Sequence, residues 1–204
     1  MAVTAKDVQA LRQATGAGMM DAKRALTETD GDMDKAKDLL REKGLAAAAK
    51  RTDRTATEGT IGSYMHEQAG RPVIGATVVL SSETDFVAKS DEFQIVADDL
   101  AMHIAASAPK WITVEDVPED AIAKERELIA AQARNEGKPD AIIDEVVEDR
   151  VKSFYADYVL TEQKFIRSDK FDGTVGALVT DLAARMGENI SVTAMARLAV
   201  GEEV

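Results

Sequence analysis

The 204-residue sequence predicts an α+β protein in two parts. The first, over 1–55, is an N-terminal three-helix bundle with a linker. The second, over 56–204, is an antiparallel sheet of about three strands packed with helices, with a helical hairpin near 119–158. Three observations predict this. The first third of the chain carries apolar residues at helical spacing, punctuated by Gly16–Gly18, Gly31 and Gly44. Two later runs, Val73 to Leu80 and Ile190 to Val200, alternate apolar and other residues with the period of a strand. The long segment between them returns to helical period and is broken by Pro109 and by Gly137-Lys138-Pro139.

Each element has a local reason. Thr4 can cap a first helix, with Asp7 placed to reach back in a capping box, and Val8 and Leu11 share one face. Gly16-Ala17-Gly18 stops it. A second helix runs from about Met19 to Thr29 with Ala22, Ala25 and Leu26 inward, and Gly31 breaks it. Asp32 caps a third, with Met33, Ala36, Leu39 and Leu40 in one stripe, and Gly44 is expected to end it. Leu45 to Lys50 is alanine-rich and compatible with more helix. Arg51 to Gly59 has little apolar content and reads as a linker. Thr60–His66 and Pro72–Leu80 form a hairpin through Glu67-Gln68-Ala69-Gly70.

Ser90 can cap a helix whose inner face carries Phe93, Val96, Leu100 and Ile104, and Pro109 ends it. Trp111 and Ile112 read as a plug over the sheet. Two helices follow, about Glu119–Asn135 and Pro139–Tyr158, and can pack as an antiparallel pair. The second carries Ile143, Val146, Val147, Arg150, Val151, Phe154 and Tyr158 on one side. Lys164–Ile166 is a loop or short strand, and a helix from Asp172 to Met186 ends at Gly187. In the closing strand, Ile190, Val192, Ala194, Ala196, Leu198 and Val200 are expected to face one way, and Ser191, Thr193, Met195 and Arg197 the other.

Composition narrows the function. Hydrophobic residues make up 45% and charged residues 30%, the profile of a soluble globular chain. Without cysteine there is no disulfide, thiolate metal site or cysteine nucleophile, which suits a reducing cytoplasm. The start, Met1 to Asp7, has no apolar signal core, and no apolar run approaches the roughly 18 residues that span a bilayer. A formal net charge of −12 repels phosphate backbones, so direct nucleic-acid binding is disfavoured. The twelve acids and four bases between Glu115 and Asp149 read as solvated helix faces. With His66 and His103 the only histidines, no metal cluster or serine triad is readily built, and no P-loop or dinucleotide fingerprint is present. No catalytic residue, metal or cofactor is assigned, and a regulator is favoured over an enzyme.

The chain is organised around Leu80-Ser81-Ser82-Glu83-Thr84-Asp85-Phe86-Val87-Ala88-Lys89, between a strand and a helix, where side chains can be held rigidly and still be reached. On composition alone Phe86 reads as a core anchor and Asp85 as a turn or cap residue. Ser82 to Lys89, however, resembles the central motif of the elongation factor Ts family, nucleotide-exchange factors for the GTPase elongation factor Tu. Leu11-Arg12-Gln13-Ala14-Thr15-Gly16-Ala17-Gly18-Met19-Met20-Asp21-Ala22-Lys23-Arg24-Ala25-Leu26 resembles the same family near its start. Weaker likeness runs through Met102–Ser107 and Gly137-Lys138-Pro139.

The resemblance implies a nucleotide-release motif at Thr84, Asp85, Phe86 and Val87, with Phe86 as an apolar wedge and Asp85 acting against the partner's magnesium site. It implies partner contacts at Arg12, Met19, Met20, Lys23, His66, Lys89 and Ile166, and a bundle of the ubiquitin-associated type. At least one of Met19 and Met20 is expected to fill the bundle's core. The implied partner is elongation factor Tu, GDP-bound and nucleotide-free, in the cytoplasm and away from membranes. Longer family members carry two related subdomains and this chain resembles the short form with one, so a homodimer is expected. A passive binding and oligomerisation module without exchange activity is the alternative. A metal-dependent hydrolase on Glu83 and Asp85, which extended chain would place on one face, is a third reading.

Overall fold

Helix signals in the first third of the chain become three helices in the computed structural model, which describes residues 3–15 and 17–202. The reading of the extreme N-terminus, as far as it rests on Met1 and Ala2, lies outside the described residues, as does Gly16 of the first break. The chain forms two units. One gathers the N-terminal residues to Gly59 with Ser81–Lys89 and Val179–Ser191; the other holds Thr60–Leu80, Ser90–Leu178 and the chain from Val192 onward. The fold class is α+β, with eight helices and a three-stranded antiparallel sheet among the described residues.

In the first unit, α1 (Ala5–Thr15) begins at the expected capping box. Thr4 N–H donates to Asp7 Oδ2 at 3.0 Å, and Asp7 N–H to Thr4 Oγ1 at 3.3 Å. Helix α2 spans Met19–Glu28. Asp32 caps α3 (Met33–Ala49) by accepting from the amides of Asp34 and Lys35. The three pack through Val8, Leu11, Ala22, Ala25, Leu26 and Ala36, ringed by Met33, Leu39 and Leu40. Burying a leucine such as Leu11 or Leu26 stabilises the bundle by about 1.5–3 kcal/mol. Neither Met19 nor Met20 contributes: they are 49% and 68% exposed, against the expectation that one fills the core. The alanines and leucines already close that small core. Gly44 does not end α3 either. A Cβ there would lie 3.3 Å from the Cβ of Ala184, so the glycine admits close approach of a later helix, a packing role in place of a stop.

The second unit is built on the sheet, in the order β1 (Glu58–Gln68), β2 (Arg71–Ser82), β3 (Ser191–Ala199). The β1–β2 turn is tighter than the four residues predicted. Ala69 and Gly70, with φ of 52° and 76°, make it alone, the pattern of a two-residue hairpin that matches strand twist. Helix α5 (Asp91–Ser107) crosses this unit with Phe93, Leu100, Ala101, His103 and Ile104 buried. Its approach to β1 is so close that a Cβ on Gly62 would stand 2.1 Å from the Ala97 carbonyl oxygen.

The closing strand alternates as expected, and from Ala194 onward the apolar set is the exposed one. Met195 and Arg197 are half-buried, while Ala194 and Ala196 are exposed, and Leu198 and Val200 are 60% and 68% exposed. A helix end explains it. The last carbonyls of a helix lack intrahelical donors, and Arg197 Nε donates to the Ala105 carbonyl at 3.0 Å while its guanidinium also pairs with Glu202. Arginine's long apolar stem makes the inward position tolerable. Ala194, Ala196, Leu198 and Val200 therefore line the sheet's outer face with Ile61 and Met65, also exposed.

Helices α6 (Glu119–Asn135) and α7 (Ile143–Tyr158) form the hairpin, closed by Ile129, Ala133, Ile143, Val147 and Val151 and bridged by Arg126–Glu148 and Arg150–Glu136. Trp111 is no plug over the sheet. Its ring lies 5.9 Å from Phe154, its backbone bridges Val159, and it caps the hairpin's base, where aromatic partners are available. Helix α8 (Val175–Met186) starts three residues later than predicted and ends at Gly187, with φ 75°. The remaining helix, α4 (Asp85–Ala88), is a single turn at the centre of the site.

Candidate functional site

The central turn is not extended, as the reading that set Glu83 and Asp85 on one face assumed. Thr84 is the N-cap of α4, its hydroxyl accepting from the Val87 amide, so Asp85, Phe86 and Val87 sit on one helical turn. Ala88 is buried beneath the turn. Phe86 is 84% exposed and therefore not the core anchor that composition favoured. Seven residues on, Phe93 is fully buried and takes the core role. The turn therefore presents its phenylalanine ring to solvent.

Asp85 and Lys89 face one another at i, i+4, with Lys89 Nζ donating to Asp85 Oδ2 at 2.5 Å. This hydrogen bond and the ammonium charge hold the Asp85 carboxyl below its usual range, and the same bond raises Lys89. Glu83 is engaged elsewhere. Its carboxylate accepts from the Asn189 amide at 2.7 Å and pairs with Arg54 at 3.4 Å. Two carboxylates turned to different cationic or amide partners do not form a shared metal site. Among the described residues no group of three or more histidine, aspartate or glutamate side chains could hold a metal ion.

Sequence reasoning missed the segment that organises this turn. Just beyond Gly187, Glu188 accepts three hydrogen bonds. The Glu83 and Thr84 amides donate to Oε2, both at 3.1 Å, and the Thr84 hydroxyl donates to Oε1 at 2.6 Å. Asn189 Nδ2 donates to the carbonyls of Thr52 and Arg54 at 3.2 and 2.7 Å. The only local signal was a Gly-Glu-Asn run after a helix, which also fits an ordinary helix stop.

In the same unit, Arg12 lies in the last turn of α1, and Met19, Met20 and Lys23 in the first turns of α2. All four are exposed and flank the α1–α2 break. In the second unit the structure brings together two residues a hundred positions apart. His66 and Ile166 line one groove of about 350 Å³, with Tyr64, Ile74, Met102 and Ala106. His103 lies beneath this surface. Its Nε2 is 2.9 Å from Gln163 Oε1, whose amide donates to the Asp157 and Ser107 carbonyls, so the glutamine oxygen accepts and Nε2 carries the proton. Nδ1 is then free to accept from the Ile166 amide at 3.2 Å. Burial pushes the His103 pKa down, opposed by the Gln163 bond. Asp99, nearly buried, receives Arg167 and Lys170 and ties down the residues that follow Ile166.

The first unit thus combines an exposed aromatic on a capped turn with a helical bundle that exposes Met19 and Met20 at the start of α2. The family model described as elongation factor TS matches residues 5–202. The chain belongs to the elongation factor Ts family. Elongation factor Ts of Carboxydothermus hydrogenoformans is 50% identical over 200 residues, covering 98% of this chain and 90% of the relative. Elongation factor Ts of Alkaliphilus oremlandii is 48% identical over 204 residues, covering 100% and 92%. That of Moorella thermoacetica is 46% identical over 202 residues, covering 99% and 97%. Membership places the chain in translation elongation, within protein biosynthesis. No helix among the described residues is long and apolar enough to cross a membrane.

Proposed function

We propose that this elongation factor Ts family member is a guanine-nucleotide exchange factor that promotes GDP release from elongation factor Tu in the cytoplasm, acting as a regulator and not as an enzyme. The single observation that carries this reading is Phe86, 84% exposed on a capped helical turn. A GTPase holds GDP through phosphate contacts and a magnesium ion, and release requires a conformation in which they are broken. An apolar side chain entering a gap in the partner gains up to about 3 kcal/mol by burial, available only in the open conformation. Asp85, delivered on the same turn, opposes the magnesium and phosphate contacts. Its pair with Lys89 is exposed and opens at little cost.

Linkage requires reciprocity. If the factor weakens GDP binding, GDP weakens factor binding by the same ratio, so the nucleotide-free partner is bound most tightly. The additional contacts come from Arg12, Met19, Met20 and Lys23 on the bundle, from Lys89 on the turn, and from His66 and Ile166 in the groove. The exposure of Met19 and Met20 supports this, since flexible apolar side chains adapt to a surface. The protein works as a homodimer, a second copy supplying what the second subdomain supplies in longer family members. The outer face of the sheet, with Ile61, Met65, Leu198 and Val200 exposed, is the surface that copy covers. Neither nucleic acid nor membrane takes part.

Stopped-flow release of fluorescent GDP from elongation factor Tu of the same source tests the reading. Acceleration by the parent chain and its loss in Phe86→Ala, with complex formation retained, is the expected result. Binding with no acceleration by the parent would leave a passive module instead. Light scattering is expected to give twice the chain mass for the parent and the monomer mass for Leu198→Glu.

A further inference from the structure

We propose that Glu188 is a positioning residue for nucleotide release: its carboxylate holds the Glu83 and Thr84 backbone and thereby sets the direction in which Phe86 and Asp85 project. This rests on the wedge reading above and adds to it a residue a hundred positions away.

A side chain 84% exposed is not held by packing, so the direction of Phe86 is that of the backbone beneath it. That backbone is α4, four residues long. One helical turn fixes several dihedral angles for a single hydrogen bond and does not persist unaided. Something else must hold it. The Thr84 cap acts within the turn, and the Asp85–Lys89 pair is exposed and weak. Glu188 differs in kind. It takes the two amides that enter the turn and the hydroxyl of the capping residue at once, with one carboxylate. Hydrogen bonds to an ionised acceptor are roughly twice as strong as neutral ones. The Thr84 hydroxyl, by giving its proton to Glu188, also leaves its lone pairs to the Val87 amide, so cap and clamp reinforce one another.

The clamp is itself braced. Gly187, at φ 75°, turns the chain out of α8, and Asn189 bonds the Thr52 and Arg54 carbonyls while its amide meets Glu83. Glu188 thus holds the Glu83 amide while Glu83 holds the amide of Asn189, the residue after Glu188. A wedge that gains burial energy only in the open state of its partner must arrive aligned, because an ensemble of directions reduces the productive fraction in proportion.

The experiment uses the full chain with Glu188→Ala, Glu188→Gln, Phe86→Ala and the two double variants. Amide hydrogen exchange reads the clamp, GDP release at saturating factor reads its consequence, and thermal unfolding checks the fold. Glu188→Ala is expected to speed exchange at Glu83 and Thr84 and to slow release about tenfold. Glu188→Gln keeps an acceptor oxygen and is expected to restore most of the rate, with a residual loss of about threefold. In the Phe86→Ala background neither substitution slows release further. Should Glu188→Ala fail to fold, the Glu188→Gln cycle gives the same decision. Unchanged release in the Glu188 variants, or a loss that repeats in full without Phe86, overturns the positioning role while leaving the wedge. Phe86→Ala releasing GDP as fast as the parent overturns the wedge reading and this role together.

Discussion

The turn at Thr84–Lys89 and the segment at Gln163–Lys170 solve one problem by different means. Each displays an apolar residue, Phe86 at 84% and Ile166 at 46% exposure, on backbone that lacks regular structure of useful length. Each is held by a polar side chain from a remote segment that accepts backbone amides. The turn uses Glu188, half-buried, whose carboxyl oxygens take three hydrogen bonds. The Ile166 segment uses His103, wholly buried and neutral, with Gln163 fixing its tautomer. The difference teaches what each region tolerates. A half-buried clamp can be lost with local consequences. A buried acceptor is part of the core, so its loss is felt by the whole unit.

The comparison can be broken or sharpened by substitution. The largest effect is expected at Gly62, under the strand that carries His66. Gly62→Ala forces a methyl group against the Ala97 carbonyl and is expected to cost about 3 kcal/mol or more, read as a lower urea midpoint. A midpoint equal to the parent's would mean that strand and helix separate freely there. Next is His103→Leu, which leaves the Gln163 oxygen and the Ile166 amide without their partner and should cost about 2–4 kcal/mol, where Glu188→Ala costs about 1 kcal/mol. Equal losses at the two sites would remove the distinction drawn here.

The histidine also predicts a pH dependence. Its folded pKa lies below the unfolded value of about 6.5. The folded state therefore binds fewer protons, and the stabilisation is complete above about 6.5 and lost as pH falls through the lower folded value. The melting midpoint should fall more steeply between pH 7.5 and 5.5 in the parent than in His103→Asn, which keeps an acceptor near Nδ1 and does not titrate. Parallel profiles would contradict it. Smaller still is Thr84→Ala, about 1 kcal/mol from a lost cap, visible as faster exchange of the Val87 amide. Lys89→Ala is the smallest: its exposed pair with Asp85 should leave the melting midpoint unchanged.

Legibility followed sequence distance. The Thr4–Asp7 box, the Asp32 cap, the strand periods and the α6–α7 hairpin depend on residues within a few positions of each other, and they are readable from those residues. The facing of β3 was not, because period two says which residues share a face and leaves open which face is covered. Arg197 answered to a helix carbonyl that has no mark in the strand's own sequence. Met19 and Met20 misled for a related reason: apolar character marks both core and display, and only the filled volume of the bundle separates them. The motif around Phe86 was conspicuous through resemblance, whereas Glu188 resembled a helix terminator.

From its sequence alone the protein is an α+β member of its family, with an N-terminal bundle, a hairpin pair, a closing strand and a central Thr-Asp-Phe-Val motif, because local spacing and caps encode such elements. Only the tertiary structure decided that Phe86 projects while Phe93 is buried, that Leu198 and Val200 are exposed while Val78 and Leu80 of the same sheet are buried, and that Glu188 and His103 hold the backbone of the two displaying segments. Each of those outcomes depends on groups brought together from across the chain, such as Glu83 and Glu188 at a separation of 105 residues, and side-chain type at either end alone does not specify the meeting.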